Sequence, residues 1–342
     1  MDTAGGVRKE SGHSVYYHKL RQIHLEPTQL CQAACPMCDR NMNGGDVNPY
    51  LKQADLSLQD IKTILLPDLL NQITLLYACG NHGDPILNQD LAHSFDYFRT
   101  TNPDLNLSVT TNGGARDTDF WTHLAQTNTH VNFSIDGLHD TNHLYRQGVV
   151  WDRVEASLDA FTQAKGSASW TFLVFKHNEH QVEEAERYAK LFGIDQFIVK
   201  KSARYFKADG SRKYSHQAVY RGNSTTLLEE PTNPIYCNKI TQKPPSGELN
   251  FKPKCLQKWE MYLSAEGLVF PCCWTAGHIY KWYLDPGASE IFTFIKDHEI
   301  NAFKKPIKEI MESPFFSELI GSAEICTKKC NAAYDPFEAQ WL

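Results

Sequence analysis

The stretch QIHLEPTQLCQAACPMCDR, residues 22–40, joins the two signals from which the fold can be read. It opens as a short apolar run of strand length, Gln22 to Pro27. It then places Cys31, Cys35 and Cys38 within eight residues. A structural metal site takes four protein ligands, so three thiolates in one loop leave a coordination position open. For zinc, Asp39, Cys79 or His82 could supply the fourth.

The strand pattern recurs five times, as ITLLYAC (73–79), LNLSVTTNG (105–113), HVNFSIDG (130–137), SWTFLVFK (169–176) and DQFIVKK (195–201). Amphipathic segments lie between. Ser57 and Asp60 open one that carries Ile61, Ile64 and Leu65 on a face. Another, from about Glu179 to Phe192, repeats Val182, Ala185, Ala189 and Phe192 and stops at Gly193. Strands alternating with helices predict parallel pairing through right-handed crossovers. Six strands are too few for the eight-fold barrel, so the expected fold is α/β, a partial (βα)6 barrel. Polar segments follow the strands: the three cysteines, Gly80-Asn81-His82-Gly83-Asp84-Pro85, Thr111-Asn112-Gly113, Ser134-Ile135-Asp136-Gly137 and His177-Asn178. Parallel topology brings strand C-termini to one rim, where active sites form, so these segments should converge.

Ten cysteines are many for a chain whose first 20 residues lack a secretory apolar core and which has no stretch of membrane-span length. A cytosolic location is expected, with thiols reduced and used for metal or redox chemistry. The net charge of -6, without a run of like charge, argues against a nucleic-acid partner. Residues 203–254 are polar and rich in Pro and Gly, and read as a linker that covers the rim. KWEMYLSAEGLVFPCCW (258–274) reads as a hairpin about Ala265-Glu266-Gly267, its open end bringing Cys272 and Cys273 towards Cys255. Residues 299–320 look mostly helical, and Cys326 and Cys330, at i and i+4, face one way if helical. Trp259, Tyr262, Trp274 and Trp282 read as hairpin core, and the fourteen histidines show no ligand spacing.

The C-x3-C-x2-C motif after the first strand of such a barrel resembles the signature of the radical S-adenosylmethionine enzymes. The resemblance implies that Cys31, Cys35 and Cys38 hold a [4Fe-4S] cluster whose fourth iron binds S-adenosylmethionine. Cleavage of the sulfonium then gives a 5′-deoxyadenosyl radical, and the missing ligand is the cofactor itself. GNHGDP resembles the family's glycine-rich segment, which implies contacts from Gly80, Gly83 and Asp84, with Asp84 where the family usually has glutamate. TTNG and SIDG match the third and fourth strand ends and make Asn112, Ser134 and Asp136 candidates for ribose or methionine contacts. Arg146 matches a recurrent arginine suited to a carboxylate, and Met37 stands where an aromatic residue is common and would pack on adenine.

Cys255, Gly267 and Cys272 match the opening of the SPASM/Twitch extension. The chain lacks the dense cysteine block of the full SPASM form, so the shorter Twitch form is implied, with a second, auxiliary [4Fe-4S] cluster on Cys255, Cys272, Cys326 and Cys330. Cys273 is the alternative to Cys272, because neighbours on a strand face opposite ways. The expected organisation is a tail (1–20), a partial barrel (21–203), a linker or lid (204–254) and a Twitch-like extension (255–342) of hairpin plus helix. The expected activity is oxidation of an alcohol or C–H carbon in a small polar substrate such as an amino sugar, with a flavodoxin- or ferredoxin-type reductant. A peptide substrate giving an epimer or crosslink is the alternative, and a non-catalytic zinc or electron-transfer protein the alternative of another class. Only 30 residues precede Cys31, too few for a leader-binding domain. Cys79, at a rim strand end, is the candidate hydrogen-atom donor; otherwise it and Cys237 are buried apolar thiols.

Overall fold

The computed structural model describes residues 16–41, 45–205, 215–220, 223–238, 252–281 and 291–330. Its strands are β1 (Gln22–Leu25), β2 (Leu75–Ala78), β3 (Asn106–Thr111), β4 (His130–Ser134), β5 (Ala168–Val174), β6 (Gln196–Lys201), β7 (Ser215–Tyr220), β8 (Asn223–Glu229), β9 (Glu260–Leu263) and β10 (Val269–Phe270). The six expected strands are present and pair in parallel in chain order. The sheet has two edges, at β6 and β10, so the barrel is open.

Register divides the sheet into two faces. Ile23 pairs with Leu76 and Leu76 with Leu107, Val109 with Val131, and Phe133 with Trp170. All are at most 4% exposed and form the core beneath the outer helices. The alternate residues line the concave face: His24, Tyr77 and Ser108 in one row, Thr110 and Asn132 in another, then Ser134 and Thr171, and Leu173 beside Lys200. A parallel sheet is ordinarily apolar on both faces. Here one face carries hydroxyls, amides and rings with polar edges.

Two helices start where a side-chain cap dictates. Ser57 and Asp60 form a reciprocal capping box on the helix Leu58–Ile64, and Asp117 caps Thr118–Gln126. Gly193, at φ +74, ends the turn after the helix Val182–Leu191.

Two features depart from the sequence reading. The expected hairpin exists, but its first strand also joins the barrel: β9 pairs in parallel with β1 in the register Ile23 with Met261. Residues 203–254 read as loop, yet their described part contains the antiparallel hairpin of β7 and β8. Among its described side chains, Ala218 and Leu228 are the fully buried apolar ones, too sparse for periodicity to reveal. Within 299–320 the helices are short, Ile307–Met311 and Pro314–Leu319, the second started by its proline. Trp282 lies outside the described residues.

Candidate active site

The loop after β1 carries the three thiols. Cys35 is 7% exposed, while Cys31 and Cys38 are half-buried. Burial pushes the Cys35 thiol up to about 11 and raises the other two. Metal loading must therefore displace protons. The loop meets the end of β3 on one flank and Arg146, at the cap of the helix Asn142–Tyr145, on the other. Asn112 Nδ2 lies 3.9 Å from Cys31 Sγ, and its Oδ1 accepts from Gln32 Nε2 at 2.7 Å. Arg146 Nη1 lies 3.9 Å from Cys35 Sγ, and His216 of the rim hairpin holds a ring nitrogen 3.2 Å from the Pro36 carbonyl. The sequence motifs at the ends of β1 and β3 thus meet in space, as parallel topology requires.

Arg146 was expected to meet a carboxylate, and in the structure it meets that of Asp136. Nε is 2.7 Å from Oδ2, an ion pair without hydrogen-bond alignment. Asp136 is 1% exposed and its Oδ1 accepts the Leu173 amide at 2.7 Å. Burial pushes its carboxyl up, and the Arg146 guanidinium pulls the other way. Asn178, a rim residue by topology, is a bracket: its amide donates to the Asp136 and Leu173 carbonyls and accepts from the Phe175 N–H.

Backbone proximity explains the glycines of GNHGDP. A Cβ on Gly80 would lie 1.9 Å from the Gly83 carbonyl oxygen, and one on Gly83 would lie 1.9 Å from that of Thr28. Asp84 N donates to Leu30 O at 2.8 Å, so this loop lies on the approach to the cysteines. The Asp84 carboxylate accepts the Asn112 amide at 2.8 Å and the Ile86 amide at 3.3 Å. Its oxygens are engaged in joining the ends of β2 and β3. Met37 packs partly buried against the core, and Ser134 lies on the concave face.

Glu26 is a residue that sequence reasoning missed. Its Oε1 accepts the His82 and Gly83 amides at 2.6 and 3.0 Å, and its Oε2 accepts the Tyr262 hydroxyl. It ties the glycine loop to β9, 236 residues away in sequence. Burial raises its carboxyl, but His82 and Tyr262 outweigh burial and hold it below the ordinary range. A depressed carboxyl contributes stability that is present above its unfolded value, near 4.3, and lost as pH falls through the folded value. Glu26→Gln should therefore reduce stability at pH 7, and its deficit against the parent chain should shrink below about pH 4. Urea titrations at pH 7 and at the lowest pH where both fold check this; a deficit independent of pH would contradict it.

A family model described as "Radical SAM superfamily" matches residues 25–189. Residues 25–189 belong to the radical SAM superfamily. The family's cofactors are a [4Fe-4S] cluster and S-adenosylmethionine. No curated protein matches the sequence significantly. Among solved structures, Streptococcus suis SuiB bound to S-adenosylmethionine is similar, with 14% identity, a TM-score of 0.57, and coverage of 94% of this chain and 78% of that one. SuiB bound to the precursor peptide SuiA gives 15%, 0.58, 92% and 72%. The anSMEcpe structure with bound AdoMet gives 15%, 0.53, 87% and 79%. At these identities the likeness is one of fold.

The radical SAM segment also touches the C-terminal thiols. Cys272 and Cys273, neighbours in sequence, face different groups. Burial and then the Cys272, Cys326 and Cys330 thiols push Cys255 far up, and Cys272, pushed up to about 11, senses Cys326 in turn. Cys273 instead senses Glu260 and Cys79 as well as Cys272. Cys272 thus shares its electrostatic surroundings with Cys255 and Cys326, and Cys273 shares its own with Glu260 and Cys79 as well as Cys272. Asn81 Nδ2 donates to the Cys273 carbonyl at 2.9 Å, which links the glycine loop to this quartet. Cys79, at the concave end of β2, has the Thr110 hydroxyl as its hydrogen-bond partner and is pushed by burial up to about 11. Cys237 lies apart, its Sγ 3.2 Å from the Pro231 carbonyl oxygen. Tyr262 is core, as read, and its hydroxyl donates to Glu26, whereas Trp274 packs under Lys329 Nζ at 4.2 Å.

All-thiolate donor sets suit iron–sulfur clusters and zinc alike. Thiolates about 2.3 Å from one tetrahedral zinc lie about 3.8 Å apart. Among the described residues, no three cysteine sulfurs all lie within 4.8 Å of one another. A cube of irons holds its thiolates farther apart than one ion does, and the three thiols beside Arg146 and Asn112 would be the residues to hold the family's cluster. No described helix is long and apolar enough to cross a membrane.

Proposed function

We propose that the chain is a radical S-adenosylmethionine oxidoreductase of the Twitch type acting on a small polar substrate held on the concave face of the partial barrel. Cys31, Cys35 and Cys38 would hold the first cluster; Gly80, Gly83, Met37, Asn112, Ser134 and Arg146 would surround S-adenosylmethionine. When bound, the pair supplies a carbon-centred radical that takes a hydrogen atom from a substrate carbon. The observation that carries the reading is the polar row running away from the cysteine rim: Cys79, Thr110, Asn132, Ser134, Thr171 and Lys200 on one face. Such a surface offers donors and acceptors to a hydroxylated or aminated substrate and little to an apolar one.

The quartet of Cys255, Cys272, Cys326 and Cys330 would hold a second cluster and so give the chain a place for the electron released in a two-electron oxidation. Residues 21–203 and 255–342 would be the two functional parts, joined by 204–254. Cys79, inward-facing and protonated at neutral pH, remains a candidate hydrogen-atom donor. A flavodoxin- or ferredoxin-type protein would supply the reducing electron. The peptide reading is supported by a different observation: the β7–β8 hairpin borders an open cleft of about 380 Å³ beside the rim, lined by His143, Gln147, Tyr220 and Thr225 among others, and SuiB, of similar fold, binds a precursor peptide.

Protein purified without oxygen and reduced chemically should convert S-adenosylmethionine to 5′-deoxyadenosine and methionine, measured by chromatography. Deuterium from a labelled substrate should enter the 5′-deoxyadenosine. Protein that contains only zinc and leaves S-adenosylmethionine intact would reject this reading in favour of the non-catalytic one.

A further inference from the structure

We propose that His93, Asp96 and His123 form a site for a divalent transition-metal ion on the outer helical layer. His93 and Asp96 lie one turn apart on the helix Leu91–Thr101, and His123 comes from the neighbouring helix Thr118–Gln126. Among the described residues, these are the only three His, Cys, Asp or Glu side chains whose ligand atoms all lie within 4.8 Å of one another. His123 Nε2 is 2.7 Å and His93 Nδ1 3.8 Å from the same oxygen, Asp96 Oδ2. The two imidazole centroids are 5.1 Å apart at 65°.

Nitrogen and oxygen donors about 2.0–2.1 Å from a tetrahedral ion lie about 3.4 Å apart. The two measured separations bracket that value, so small side-chain rotations would seat an ion. Two imidazoles with one carboxylate suit Zn²⁺, Cu²⁺ or Ni²⁺; Ca²⁺ and Mg²⁺ prefer all-oxygen sets. An inter-helix ion pair needs only Asp96 and His123. His93, turned onto the same oxygen, is the third donor that such a pair does not require. The side chains of His93, Asp96 and His123 are 61%, 47% and 32% exposed, so the ion would keep water in its remaining positions. It would tie two outer helices together, remote from the cysteine chemistry and independent of the function proposed above. Sequence periodicity gave no hint of it, because the two histidines stand 30 positions apart on separate helices.

The test uses iron-loaded protein, whose cysteines are occupied, freed of loosely held metal. Calorimetric titration with ZnCl2 should show one saturable equivalent, accompanied by a saturable rise in melting temperature. His123→Gln and His93→Gln should each lose that equivalent while keeping the parent's iron content, circular dichroism and S-adenosylmethionine cleavage. With Cu²⁺ in place of Zn²⁺, electron paramagnetic resonance should show coupling to two imidazole nitrogens. Retention of the zinc equivalent by both variants, or no equivalent in the parent protein, would overturn the assignment.

Discussion

Alanine at any one of Cys31, Cys35 or Cys38 should abolish 5′-deoxyadenosine formation and remove about four of about eight irons. Each thiolate would hold a different iron, so one loss exposes that iron to water and the cluster is not retained. Arg146 stands against the buried Cys35 sulfur and carries only donors, and it engages the Asp136 carboxylate nearby. Cys330→Ala should remove the other half of the iron yet leave cleavage of S-adenosylmethionine intact, because its thiol groups with Cys255. Cys237→Ala should change neither, since its sulfur rests on the Pro231 carbonyl. Iron and sulfide analysis with product chromatography reads all three classes. A Cys31→Ala protein with full iron and full cleavage would remove the motif from the account.

Arg146→Met should cost about 3–5 kcal/mol of stability, because it leaves a buried carboxylate without its cation. Asp136 is 1% exposed and keeps one hydrogen bond, from Leu173, after the substitution. Asp136→Asn should cost less, since an amide needs no counter-charge, and the double variant should cost less than the sum. The pH dependence has a definite sign. Without Arg146 the folded carboxyl rises further above its unfolded value, so the folded state binds the proton more tightly. Stability then falls as pH rises above about 4, and the deficit against the parent chain widens with pH. Urea denaturation at several pH values measures this; equal midpoints for parent and variant would show that the pair contributes nothing.

The barrel was legible because its strands carry their own signals: apolar runs of strand length separated by helical periods. All six appear, and Ser57 with Asp60 caps its helix as read. The convergence of Cys31 with Asn112 followed from parallel topology, whereas Arg146 beside Cys35 was named only by the family resemblance. What stayed hidden depends on contacts distant in sequence. Glu26 looks like any strand-end carboxylate until Tyr262 and the glycine loop fold onto it. The Asp84 carboxylate accepts the Asn112 amide, a contact across 28 positions that its motif does not announce. Alternation along a strand does not bear on Cys272 and Cys273, because the helix Cys273–Lys281 starts between them. The β7–β8 hairpin escaped notice because so little of it is buried.

The central claim is that one metal of the Cys31–Cys35–Cys38 site is left open for S-adenosylmethionine. Electron paramagnetic resonance of the reduced protein, with S-adenosylmethionine carrying nitrogen-15 in its amino group, tests it directly. The cofactor should change the cluster signal and give it nitrogen-15 coupling, and both effects should be lost in Cys35→Ala. An unchanged signal with no coupling, from a fully loaded and reduced site, would contradict it.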